Sequence, residues 1–142
     1  MKVLWFDMDG TFVDLYGVDD WMRKLNTGDP TPYEEAAPLV NMQVFARTLN
    51  RLQREGYKIC VVTCLARGAD EEYAREVKEA KQKWLRKHLK SVKFDKIDFL
   101  DYEEPKSKGR RGILFDDEER HRDNWHGIAI NASEMLKVLR AL

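Results

Sequence analysis

The sequence predicts an α/β protein built on a mainly parallel five-stranded sheet with helices on both faces. Three observations carry that expectation. Short runs rich in strand formers alternate with amphipathic stretches. Apolar residues within those runs are continuous rather than alternating, as in strands covered on both faces. The chain has 142 residues, enough for one real core and too few for two. No repeat, low-complexity tract or linker interrupts it, so residues 1–142 read as a single domain.

The first strand is expected over residues 2–7 (KVLWFD), and residues 11–40 read as irregular. Inside that segment Thr31 is placed to cap a short helix, with Pro32 at its first position and Glu34 at its third. Pro38 should stop it within about two turns. Asn41 can cap the next helix, whose Met42, Phe45, Leu49 and Leu52 fall at helical spacing, with Gly56 as its stop. Residues 57–63 (YKICVVT) form the second strand. A long helix then carries Tyr73, Val77, Ala80, Trp84 and Leu85 on one face. Residues 94–101, 112–116 (GILFD) and 127–131 (GIAIN) read as strands three to five. The last helix begins near Asn131 or Ser133, with Glu134 placed for a capping box, and buries Met135, Val138, Leu139 and Leu142.

Composition narrows the function. Hydrophobic residues make up 43% and charged residues 35%, the profile of a soluble folded protein. Basic and acidic residues both number 25, so no global pull toward nucleic acid or membrane is expected. No apolar run approaches the ~18 residues of a membrane span. Asp7 follows only a few apolar residues, which does not suit a signal peptide. Cys60 and Cys64 share one strand, roughly 13 Å apart at ~3.3 Å per residue, too far for a disulfide. That usage fits a reducing compartment, and the expected location is cytoplasmic.

Ligands on parallel sheets bind at the carboxyl ends of the strands. The residues there are Asp7, Thr63, Asp101 with Lys106 soon after, Asp116 and Asn131. A carboxylate nucleophile such as Asp7 cannot approach a phosphoryl group unless the negative charge is screened, and a divalent cation bridging the two provides the screening. Asp9, two residues on, can protonate the leaving oxygen and later deprotonate water. Gly10 lets the chain turn away sharply. Asp116 and Asp117 supply further metal oxygens, and an all-oxygen ligand set with an anionic substrate points to Mg²⁺. Thr63 offers a hydroxyl and backbone amides to the phosphate, and Lys106 a fixed positive charge.

Taken in order, DMDGT at 7–11, an apolar strand ending in Thr63, Lys106 and ILFDD ending at Asp117 resemble the four motifs of the haloacid dehalogenase superfamily. The resemblance spans residues 7–117. It implies a Rossmann-like three-layer sandwich with sheet order 3-2-1-4-5 and an aspartyl-phosphate on Asp7. The implied metal ligands are the Asp7 carboxylate, the Asp9 carbonyl and Asp117, with Asp116 close behind. Dehalogenases of the family lack the second acidic residue, so Asp9 argues for phosphate chemistry. Residues 102–111 are too few for the usual crossover helix. About ten residues reach ~33 Å where about 25 Å is needed, so a nearly extended connection suffices. That short spacing, with DMDG, resembles the 5'(3')-deoxyribonucleotidase branch. The helical cap of that branch is reduced here to a flap within residues 11–40.

Other features carry two readings. Tyr16, Trp21 and Tyr33 either stack on a substrate base or form a small local core. Lys78, Lys81, Lys83, Arg86, Lys87, Lys90 and Lys93 tempt a nucleic-acid reading, but a charge run on a helix is ordinarily its solvated face. His121 and His126 are five apart and do not share a helix face as metal ligands would. The expected activity is therefore Mg²⁺-dependent phosphomonoester hydrolysis on a small phosphorylated substrate, with a (deoxy)nucleoside monophosphate preferred. The alternatives are a nucleic-acid-end phosphatase, a general metabolite phosphatase and a non-catalytic phosphate- or nucleotide-binding module.

Overall fold

β1 (Val3–Phe6) is an unbroken apolar run because it lies at the centre of a sheet with both faces covered. The computed structural model describes residues 2–142. After β1 come β2 (Val13–Asp14), α1 (Trp21–Asn26), α2 (Thr31–Glu35), β3 (Ala37–Pro38), α3 (Met42–Arg54) and β4 (Lys58–Cys64). Then follow α4 (Glu71–His88), β5 (Lys96–Leu100), β6 (Ile113–Asp116), α5 (Glu119–Asp123), β7 (Ala129–Asn131) and α6 (Met135–Ala141).

The main sheet has the order β5-β4-β1-β6-β7, and each neighbouring pair is parallel. These labels depart from the expected numbering because β2 and β3 form a separate antiparallel ribbon. Counted among the five sheet strands alone, the order is 3-2-1-4-5. All five carboxyl ends therefore open on one edge of the sheet.

The two faces of β1 are covered differently. Leu4 and Phe6 turn toward α3, α4 and α6, where they meet Phe45, Leu49, Leu52, Trp84, Met135 and Leu139. Each such fully buried side chain contributes roughly 1.5–3 kcal/mol. Trp5 faces the other way, against Cys60, Val62, Leu114 and Trp125. That layer is thin, because the β5–β6 connection carries no helix. The Trp5 indole donates to the Arg111 carbonyl at 2.9 Å, which ties the connection down.

Two expected helix starts hold and one shifts. Asn41 accepts from the Val44 amide at 3.1 Å, and Asn131 accepts from the Ser133 amide at 3.1 Å ahead of α6. Thr31 does not cap α2. It is the first helical residue, and Asp29 accepts from its amide at 2.9 Å. Residues 11–40 are also less irregular than expected, since they hold β2, β3, α1 and α2. Two-residue strands and a six-residue helix are too short to leave a readable periodicity. Among the described residues no helix is long and apolar enough to cross a membrane.

Candidate functional site: an acidic cluster at the carboxyl edge of the sheet

The site begins with register. Phe6 pairs with Phe115, and their rings stack at 5.0 Å and 9°. The Asp7 amide continues the ladder to the Phe115 carbonyl at 3.0 Å. Asp7 and Asp116 therefore leave adjacent strands side by side. Beyond Asp7 the chain folds into a tight turn in which the amides of Thr11, Phe12 and Val13 all donate to the Met8 carbonyl. Gly10 makes this turn feasible. Its φ is +84°, and a Cβ there would overlap the Asp117 carboxylate.

Oxygens of Asp7, Asp116 and Asp117 all lie within 4.8 Å of one another. Lys106, 3% exposed, donates to Asp7 Oδ1 at 2.8 Å and to Asp116 Oδ2 at 2.7 Å. Thr11 Oγ1 donates to Asp7 Oδ2 at 3.0 Å. Burial alone would raise the Asp7 carboxyl, but the Lys106 ammonium overrides it and holds Asp7 below its usual range. Asp116 and Asp117 are not compensated to the same degree. Burial and the Asp7 charge push Asp116 up to about 6 and Asp117 up to about 8. Lys106 itself is raised, because the charges of Asp7 and Asp116 outweigh its burial.

Asp9 belongs to a second set of contacts. Its Oδ2 accepts from Lys81 at 2.8 Å, and Lys81 also donates to Thr63 Oγ1 at 2.6 Å and the Cys64 carbonyl at 2.8 Å. Burial raises the Asp9 carboxyl in spite of the ammonium beside it. Lys81 is 1% exposed, so the reading of it as part of a solvated charge run is corrected. Lys78, Lys83, Arg86, Lys87, Lys90 and Lys93 are exposed as expected. The signal was its place in the helix: Lys81 falls within the stripe of Val77, Ala80, Trp84 and Leu85.

Fully ionised, the four carboxyls would exceed the two ammonium groups by two negative charges, and the raised Asp9, Asp116 and Asp117 carboxyls mark a site where a cation would relieve crowding of negative charge. The donor chemistry thus fits an oxygen-liganded divalent metal held by Asp7, Asp116 and Asp117.

A cavity of about 290 Å³ opens above the cluster, with Asp7, Asp9 and Lys106 among its lining. Tyr16 and Trp21 form one wall, their rings edge to face at 5.0 Å. Tyr33 also reaches the cavity, but at 4% exposure it is mainly core, packed with Leu15, Val77 and Ala80. Ala66, Arg67 and Tyr102 also line the cavity. Thr63 is wholly buried beneath this surface, with its hydroxyl engaged by Lys81. His121 lines the cavity and is pushed down to about 4 by burial and by Lys106, so it is neutral near pH 7. His126 lies elsewhere, with Arg110 and Arg111 in a groove under the β5–β6 connection.

No protein-family model matches the chain, and no curated protein does. Among solved structures, one chain of the Pnkp1/Rnl/Hen1 complex is similar, with a TM-score of 0.55 at 19% identity. The similarity covers 92% of this chain and 46% of that one, so the chain spans about half the length of its counterpart. At this identity the likeness is one of fold.

Proposed function

We propose that the chain is a Mg²⁺-dependent phosphomonoester hydrolase of the haloacid dehalogenase type, acting through an aspartyl-phosphate on Asp7. The observation that carries this reading is the cavity floor. A carboxylate held below its usual range by Lys106 stands beside a second carboxyl, Asp9, that burial pushes up. Two carboxyls driven apart in this way suit a nucleophile and a general acid.

Asp7 would attack phosphorus in line. The phosphorus–ester oxygen bond breaks, its electron pair goes to the leaving oxygen, and Asp9 supplies the proton that makes the alcohol. Asp9, now a carboxylate, takes a proton from water, whose oxygen attacks the phosphorus and returns Asp7 as a carboxylate with inorganic phosphate released. Lys106, the lysine in contact with Asp7 in the cavity lining, would hold phosphoryl oxygens. Mg²⁺ on Asp7, Asp116 and Asp117, with the Asp9 carbonyl, would neutralise phosphoryl charge.

The favoured substrate is a (deoxy)nucleoside monophosphate, because Tyr16 and Trp21 offer an aromatic wall of base size above the phosphate position. A nucleic-acid end is the second reading. Arg67 and Arg120 are exposed and stack on Tyr102 at 5.6 and 5.1 Å, where a following phosphate would leave the cavity. Two free cysteines suit a reducing, cytoplasmic setting.

The test is hydrolysis of a phosphomonoester panel with Mg²⁺, comparing wild type with Asp7→Asn. The panel holds ribo- and deoxynucleotides, sugar phosphates and oligonucleotides with terminal phosphates. Turnover lost in Asp7→Asn and in EDTA supports the mechanism, and the best substrate decides between the readings. Tight nucleotide binding with no turnover would point instead to a binding module.

A further inference from the structure

Lys81 is an ammonium group that phosphoryl transfer leaves without a task. It stands on α4, is 1% exposed and does not reach the cavity surface. A lysine side chain has three N–H donors and no acceptor. Asp9 Oδ2, Thr63 Oγ1 and the Cys64 carbonyl take all three, at 2.8, 2.6 and 2.8 Å. No donor remains for a substrate oxygen. Burying an ammonium costs several kcal/mol unless its partners compensate. An apolar residue would fill this position between Val77 and Trp84 without that cost. The one acidic partner of Lys81 is the Asp9 carboxyl, and Thr63 Oγ1 and the Cys64 carbonyl complete the set.

The partners explain what is gained. Thr63 and Cys64 end β4, a strand hydrogen-bonded on both sides within the sheet. Asp9 sits on the turn after β1, where nothing else among the described residues donates to its side chain. We propose that Lys81 is a positioning residue for the leaving-group proton, clamping Asp9 Oδ2 to the end of β4 so that Oδ1 is presented to the ester oxygen. Thr63 anchors the clamp. This inference rests on the phosphohydrolase reading above.

The test uses leaving groups of different basicity, with Mg²⁺ present throughout. A nucleoside 5'-monophosphate needs its leaving alkoxide protonated, whereas 4-nitrophenyl phosphate releases a stable phenolate. The readout is kcat/KM, which stops at formation of the phosphoenzyme. Lys81→Met should lower kcat/KM for the nucleotide by about 10- to 100-fold and for 4-nitrophenyl phosphate by less than about threefold, since general acid catalysis is worth about 10²–10⁴. A merely structural lysine would lower both equally. Equal losses, or no loss, would overturn the proposal. Should Lys81→Met not fold, as judged by its thermal transition, Lys81→Gln keeps a donor and is read by the same ratio. If wild type turns over neither ester, the phosphohydrolase reading fails and takes this inference with it.

Discussion

Gly10 and Asp117 are in such close approach that a methyl group at position 10 would overlap the Asp117 carboxylate. One glycine on the turn after β1 thus sets where the last acidic residue of the cluster can stand. Its φ of +84° adds a backbone requirement to the steric one. Gly10→Ala is expected to cost about 1–3 kcal/mol of stability and to displace Asp117 from the cluster. The check is a urea melt together with a Mg²⁺ titration. A variant that kept wild-type stability and Mg²⁺ affinity would show that the close approach has no consequence.

Lys106 separates two buried carboxylates, and Asp116 has no exposure at all. Lys106→Met should destabilise the fold by roughly 3–5 kcal/mol near neutral pH, because both charges lose their partner. The Asp7 carboxyl is held below its usual range, so its contribution is present above about pH 4 and is lost as pH falls through the folded value. The difference between variant and wild type should therefore shrink in acid. Denaturant melts at neutral and acid pH measure it. A loss below about 1 kcal/mol at neutral pH would contradict the ion-pair assignment.

Asp117, pushed up to about 8, gives the opposite sign. The folded chain holds this proton more tightly than the unfolded chain, where the carboxyl titrates near 3.8. Metal-free protein should therefore lose stability as pH rises toward about 8. Between about pH 7.5 and 8.5 His121 is neutral in the folded and unfolded chains alike, so it does not mask Asp117 in that window. Thermal melts should show the Mg²⁺ stabilisation growing across this window. In Asp117→Asn the metal-free protein should melt a few degrees higher than wild type and respond less to Mg²⁺, with roughly 1 kcal/mol at stake. A Mg²⁺ shift independent of pH, and unchanged in Asp117→Asn, would remove Asp117 from the metal set.

The aromatic wall makes its own prediction. Trp21→Ala should raise KM for a nucleoside monophosphate about tenfold or more, since stacking on a base is worth about 1–3 kcal/mol, and leave KM for glycerol phosphate unchanged. Equal changes for both esters would return Tyr16 and Trp21 to a packing role.

Most of the framework was legible in the sequence for local reasons. The unbroken run ending at Phe6, the cap at Asn41 and the stop at Gly56 are decided by neighbours in the chain. Asp7, Asp9, Asp116 and Asp117 follow strand ends, and parallel strands bring such ends to one edge. Lys81 was missed because six exposed cations surround it in sequence. Helical phase, not the charge of its sequence neighbours, decides its burial. Thr63 was expected to face the phosphate directly. It lies one layer lower, because α4 brings Lys81 into the space beside its hydroxyl. Ribbon β2–β3 and helix α1 are short elements held by tertiary packing, such as the Trp84 indole donating to the Ala36 carbonyl at 2.8 Å, and no local pattern announces them.

The most direct measurement is a burst experiment on Asp9→Asn with 4-nitrophenyl phosphate and Mg²⁺. This ester does not need the general acid, whereas hydrolysis of the aspartyl-phosphate still needs the base. The expected result is one equivalent of nitrophenolate per protein, followed by slow turnover, with the phosphoryl group recovered on Asp7 by mass spectrometry. Wild-type turnover without any burst in the variant, and without phosphorylated Asp7, would contradict the assignment of Asp7 as nucleophile.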